Sequence, residues 1–200
     1  MKKPNSSSFF LITLSVLLFL STFLVGIDNP KVVIETEFGD ITLELYIEKA
    51  PLTVANFLRY VKESRLKGAT FYRIVRTDNQ PVNPVKIAVI QGGIFDEIKG
   101  QSLPPIKHET TKQTGILHKD GVISMARGKP GTASSEFFIC IGDQPELDFG
   151  GKRNPDLQGF AAFGKIIKGM DTALKIHKQP AKGQYLFPKI NIIRFKIKTL

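Results

Sequence analysis

The chain has a single cysteine, Cys140, among its 200 residues, and only three histidines, at 108, 118 and 177. One thiol cannot close an intrachain disulfide, so an oxidising compartment would add nothing covalent to the fold. Cys140 reads instead as a small core hydrophobe within Phe137-Phe138-Ile139-Cys140-Ile141. The histidines have no ligand spacing with one another or with Cys140, which argues against a metal site and leaves each as a surface or turn residue. No Gly-x-Ser-x-Gly turn presents a nucleophile, and no Gly-rich strand-to-helix turn could cradle a phosphate; Gly92-Gly93 and Gly150-Gly151 read as turns. Hydrolase and nucleotide chemistry therefore lack their machinery.

Acidic residues are also short, 18 against 28 lysines and arginines, for a net charge of +10. Such a balance raises nucleic acid or an anionic membrane as a partner. The basic residues are spread rather than massed, however. Lys189, Arg194, Lys196 and Lys198 alternate with Ile193, Phe195 and Ile197, the pattern of a strand with one wet face. The basic stripe and stacking aromatics that nucleic-acid binding needs are missing, so no nucleic-acid partner is expected.

With 42% apolar and 23% charged residues, the chain can bury one core but hardly two. Residues 1–27 stand apart. Lys2 and Lys3 precede a polar spacer and the uncharged run Phe9–Val25, the layout of an export signal. That run is at the lower limit for a bilayer-spanning helix, and Leu24-Val25-Gly26 is only a passable cleavage site, so a cleaved signal peptide and an N-terminal membrane anchor are both open. The expectation is an exported, periplasmic protein whose functional domain occupies 28–200.

Within that domain Val32–Glu37 and Asp40–Tyr46 are β-rich and joined across Phe38-Gly39, a hairpin signal. Pro51 then opens a helical pattern carried by Val54, Phe57, Leu58 and Val61 and stopped by Gly68. Short strands are predicted at Thr70–Val75, Lys86–Gln91, Gly121–Met125, Glu136–Ile141 and Phe160–Ile167, followed by a short helix near Met170–Ile176 and a last strand. Many short strands with two helices argue for a closed or nearly closed barrel. Two long loops stand out: Arg76–Val85, with Pro81 and Pro84, and Gln144–Gln158, with Gly150-Gly151 and Pro155. The first is expected to form an ordered flap, because its two prolines reduce the freedom lost on ordering.

Six segments in order carry a family resemblance: Ala50-Pro51-Leu52-Thr53-Val54-Ala55-Asn56-Phe57, Phe71-Tyr72-Arg73-Ile74-Val75, Ile90-Gln91-Gly92-Gly93, Gly121-Val122-Ile123-Ser124-Met125-Ala126, Ser134-Ser135-Glu136-Phe137-Phe138-Ile139, and Phe163-Gly164-Lys165-Ile166-Ile167-Lys168-Gly169-Met170. From residue 31 onward the chain resembles the cyclophilins, peptidyl-prolyl cis-trans isomerases. The resemblance implies a mainly β fold, a closed eight-stranded antiparallel β-barrel capped by two α-helices, acting as a monomer without cofactor or metal on proline-containing polypeptides. It implies a proline pocket on the outside of the barrel, lined by Val89, Met125, Phe138, Leu147 and Phe160. Gln91 and the backbone of Arg127, with Ala126 beside it, would hold the substrate chain.

The catalytic role falls to Arg73. Amide resonance places a barrier of roughly 18–20 kcal/mol on rotation, and a fixed guanidinium can donate to the nitrogen lone pair that appears only when the amide twists. The sequence departs from the family pattern at several places. The segment between Arg73 and Gln91 is longer than usual, and Ala88 replaces a pocket phenylalanine. Phe160 stands in place of a histidine, Glu136 in place of a glutamine and Arg127 in place of an asparagine. Glu146 replaces a tryptophan through which many members bind cyclosporin, so weak cyclosporin binding is expected. The other function these residues allow is a binding module, a chaperone or assembly factor holding proline segments in the same groove with little or no turnover.

Overall fold

The computed structural model describes residues 28–94 and 101–198. The signal or anchor expected over 1–27 lies outside the described residues. Among the described residues no helix is long and apolar enough to cross a membrane.

Eight antiparallel strands close on themselves. In chain order they include β1 (Lys31–Thr36), β2 (Gly39–Leu45), β3 (Thr70–Val75), β4 (Val89–Gly93), β5 (Val122–Met125), β6 (Phe137–Cys140) and β7 (Ala161–Lys168). A two-residue strand, β8 (Ala181–Lys182), then pairs with the long β9 (Tyr185–Lys198), which is the eighth strand of the barrel. The order around the barrel is β1-β2-β7-β5-β6-β4-β3-β9, and pairing of β9 with β1 closes the ring.

Two helices plug the ends, as the sequence suggests. α1 (Pro51–Lys62) starts on a proline, whose missing N–H would have had no partner there anyway. Ala50 offers no side-chain cap, and the carboxylate of Glu109 takes its place, accepting from the Leu52 and Thr53 N–H groups at 3.2 and 2.8 Å. The helix ends earlier than Gly68, because Ser64 adopts a left-handed φ of 53° and turns the chain. A one-turn helix not anticipated from sequence, α2 (Thr111–Thr114), precedes α3 (Met170–His177). The latter begins after Gly169, whose φ is +92° and where a Cβ would sit 2.1 Å from the Asp40 carbonyl oxygen, so only glycine fits.

Alternation sorts side chains to the two faces of the wall. Phe71, Ile74, Ile90, Phe137, Ile139 and Phe163 point inward and pack with Phe57 of α1. Phe57 makes an edge-on contact with Phe137 at 5.8 Å and a tilted one with Phe163 at 5.3 Å. Each fully buried side chain of this size contributes roughly 1.5–3 kcal/mol. Val75, Val89, Phe138 and Cys140, the alternate residues, form a second apolar cluster on the outside with Ile87 and Leu147, against which Ala126 and Phe160 pack.

Candidate functional site

Cross-strand pairing on the outer face builds the site. Arg73 on β3 lies opposite Gln91 on β4, Gln91 opposite Phe138 on β6, and Phe138 opposite Ser124 on β5. Residues facing one another across antiparallel strands share a face, so one row runs from a cation through an amide to an aromatic ring. The next row, Val75, Val89 and Cys140, is apolar and buried.

The row opens into a cavity of about 220 Å³ lined by Arg73, Ile87, Val89, Gln91, Ala126, Arg127, Phe138, Leu147, Arg153, Asn154 and Phe160. All the residues expected at the pocket reach it except Met125. That residue is 1% exposed and belongs to the interior cluster. Its cross-strand partner is Phe137, which points inward, so Met125 must point inward too. The ring of Phe160 meets Phe138 edge-on at 5.3 Å, forming a corner of two aromatic walls. A second hollow of about 180 Å³ lies against α1, lined by Tyr60, Leu66 and Phe195 among others. Its arginine, Arg194, is paired to the carboxylate of Glu35.

Arg73 is held by neutral groups alone. Its Nε and Nη2 donate to Gln184 Oε1 at 3.1 and 2.6 Å, and its Nη1 donates to Gln91 Oε1 at 2.8 Å. Gln91 in turn donates from Nε2 to the Tyr72 hydroxyl at 2.6 Å, and Gln184 donates to the Asn79 carbonyl at 3.1 Å. Two amides fix the fork without neutralising it. Burial lowers the Arg73 pKa, yet a guanidinium remains charged at any working pH. Among the described residues one N–H on each of Nη1 and Nη2 is left without an acceptor.

Arg127 serves differently from the other two arginines of the pocket. Its guanidinium binds Asp156 at 2.8 and 2.9 Å and the Gly159 carbonyl at 2.8 Å, and it lies over the Phe160 ring at 5.1 Å. These hydrogen bonds hold the Asp156 carboxyl down at about 2. The arginine clamps the loop that follows Leu147. Gly159 completes that clamp, since its φ is +62° and a Cβ there would meet Leu147 O and Asp148 C at 2.5 Å.

The loop after Arg76 stands beside the pocket and is tied to the barrel by side-chain hydrogen bonds. Its anchor is Gln80, 1% exposed, whose Nε2 donates to the Arg76 and Ile87 carbonyls at 2.7 and 2.8 Å. Asn79 donates to Ile74 O and Gly183 O, both at 3.1 Å. From the other long loop, Arg153 Nη1 reaches across to Gln80 Oε1 at 2.8 Å and Val85 O at 2.6 Å. The two loops therefore join over one side of the cavity.

His118 corrects the sequence reading: it is 1% exposed, not a surface residue. Its Nδ1 contacts Asp148 Oδ1 at 2.7 Å, its Nε2 contacts Ser124 Oγ at 3.0 Å, and its ring stacks on Phe138 at 5.9 Å. Ser124 is 0% exposed and does not line the cavity, so this chain of groups braces the aromatic wall and offers no reachable nucleophile. Gln80, His118, Arg153 and Gln184 all escape sequence reasoning. Each is a polar residue outside any periodic segment, and the length of the two loops hinted only at Gln80 and Arg153.

Fold and site together define a closed β-barrel whose outer wall carries a cavity of about 220 Å³ with apolar residues on one side and a fixed cation at the rim. The family described as "Cyclophilin type peptidyl-prolyl cis-trans isomerase/CLD" matches residues 31–197. A peptidyl-prolyl cis-trans isomerase of Acinetobacter baylyi is 34% identical over 180 residues, covering 86% of this chain and 87% of that protein. Peptidyl-prolyl cis-trans isomerase A of Dickeya dadantii is 36% identical over 151 residues, covering 74% of this chain and 71% of the relative. A cyclophilin-type isomerase of Cryptosporidium parvum, crystallised in the presence of the dipeptide Ala-Pro, superposes with a TM-score of 0.68 over 85% of this chain and 99% of its own; at 24% identity it attests the fold. The chain belongs to the cyclophilin-type peptidyl-prolyl cis-trans isomerase family.

Proposed function

We propose that this chain accelerates X–Pro rotation in exported polypeptides, with the prolyl ring seated on Phe138, Leu147, Val89 and Phe160 and Arg73 assisting the twist. The observation that carries the reading is a guanidinium fixed by two neutral amides beside the apolar wall of the cavity. A planar amide nitrogen has no lone pair to accept a hydrogen bond, and a twisted one does. A donor held at that nitrogen therefore stabilises the transition state and not the ground state. Apolar walls strip water from the amide and weaken the resonance that opposes rotation. Gln91 has one amide hydrogen left for the substrate chain, and the Ala126-Arg127 backbone borders the same cavity. Holding a proline would not by itself call for this arrangement of Arg73.

A protease-coupled isomerisation assay on an Ala-Pro peptide tests the activity: acceleration is expected, and none with folded protein overturns the proposal in favour of a binding module. We further propose that the domain acts as a monomer beyond the inner membrane, delivered by residues 1–27 as a cleaved signal or an anchor. The lysine pair and uncharged run support this. Fractionation with sequencing of the mature amino terminus is the check, and intact full-length protein in the cytosol would refute export.

A further inference from the structure

Three arginines line the cavity, and no Asp or Glu side chain does. Arg127 has its counter-charge in Asp156. Among the described residues Arg73 and Arg153 have none, since the partners of both are amide and carbonyl oxygens. Arg153 uses both Nη1 hydrogens on Gln80 Oε1 and Val85 O. That leaves the edge formed by Nη2 and Nε, the edge that takes a carboxylate in bidentate fashion, without an acceptor among the described residues. Burial and repulsion from Arg73 both disfavour its charge, so an incoming anion would relieve an existing strain.

The neighbouring residue gives a second, independent indication. Asn154 lines the same cavity, and its Nδ2, buried beside it, has no acceptor among the described residues. A buried amide donor left unpaired is destabilising by about 1–3 kcal/mol, so such donors are normally matched by an acceptor, here one the protein does not supply. Adjacent residues of one loop thus set an unsatisfied guanidinium edge and an unsatisfied amide donor beside the cavity in which the substrate is proposed to lie.

We infer that Arg153 and Asn154 form a subsite for a carboxylate, and that the favoured substrates carry Asp or Glu next to the proline. This rests on the proposed isomerase reading and names its substrate class. A carboxylate fits better than a neutral amide because it supplies acceptors to both residues and the charge that Arg153 lacks. Lysine beside the proline is disfavoured by the same two cations.

The test compares peptides differing only in Glu, Gln or Lys immediately before or immediately after the proline, with exchange rates and dissociation constants both measured by NMR. On at least one side Glu is expected to exceed Gln by about fivefold or more in kcat/KM or affinity, with Lys below Gln. The preference should shrink as salt rises. Arg153→Gln, which removes the charge and the Nη2–Nε edge, should bring the Glu-to-Gln ratio to near one, and Arg153→Lys should keep part of it. Equal Glu and Gln values on both sides, or a ratio unchanged in Arg153→Gln, would overturn the inference while leaving the isomerase reading in place. Failure to turn over any of the peptides would instead sink that reading, and the affinity ratio would still decide the carboxylate subsite.

Discussion

Replacing Arg73 with alanine is expected to lower kcat/KM by at least about a hundredfold, or about 2.7 kcal/mol of transition-state stabilisation. The magnitude follows from the surroundings of the side chain. A hydrogen bond from a charged donor is worth about 1.5–3 kcal/mol. None of the partners of Arg73 carries a charge to offset it, and the apolar wall beside it keeps water away, which puts the effect toward the top of that range. The lost contacts are to partly buried amides that water can reach when no substrate covers them. The domain should remain folded, with Tm lower by at most roughly 2–8 °C.

Two companion variants separate charge from geometry. Arg73→Lys keeps the charge without the fork and should recover only part of the rate. Gln184→Glu keeps an acceptor for Nε and Nη2 at the same place but neutralises the guanidinium, and kcat/KM should fall by roughly tenfold despite an intact constellation. The assay is single-peptide isomerisation with circular dichroism melts on every variant. Wild-type turnover by a folded Arg73→Ala protein would refute the mechanism, and an undiminished Gln184→Glu rate would refute the importance of an unneutralised charge.

Gln80→Ala removes the anchor of the first loop and leaves the Arg76 and Ile87 carbonyls without their donor, so Tm should fall by roughly 4–8 °C; an unchanged melt would show that the loop holds without it. Replacing Thr77–Pro84 with a short Gly-Ser link should shift KM unevenly among Pro peptides of different flanks while kcat on a minimal peptide changes by less than about tenfold, and identical kinetics on all peptides would make the loop irrelevant to the pocket. Cyclosporin should inhibit only weakly, because Glu146 brings no ring to the pocket and its carboxylate accepts from Lys152 N at 2.7 Å; nanomolar inhibition would contradict this.

Site residues on strands or within family motifs were legible in sequence, and the polar residues that fix the loops were not. Arg73, Gln91 and Phe138 could be placed together because alternation and family motifs point the same way, and the ladder pairs them directly. Met125 misled because its motif neighbour Ala126 does reach the pocket, while the side chain one residue earlier faces the interior. The predicted strand Lys86–Gln91 starts only at Val89 because side chains replace the ladder. Gln80 takes the Ile87 carbonyl, and Gln144 Oε1 accepts from Ala88 N at 3.0 Å. No residue pattern announces a long-range substitution of that kind. His118 was invisible for a similar reason: its partners lie 30 residues on, at Asp148, and 6 residues on, at Ser124, and neither interval has a period.

The distribution of polar groups over the wall has a functional consequence. A barrel needs only its inner face buried, so an apolar cluster on the outer face must be covered by something other than the barrel. Here the two long loops cover it, and they hold each other through Gln80, Val85 and Arg153 instead of through hydrophobic contact. The groups proposed to act on the amide, Arg73 and Gln91, sit on paired strands whose positions are set by the ladder. Those proposed to read the flanking residue, Arg153 and Asn154, sit on a loop that can change without disturbing any strand. Loop substitutions should therefore alter which prolines are turned, and substitutions in the strand row should alter how fast any proline is turned.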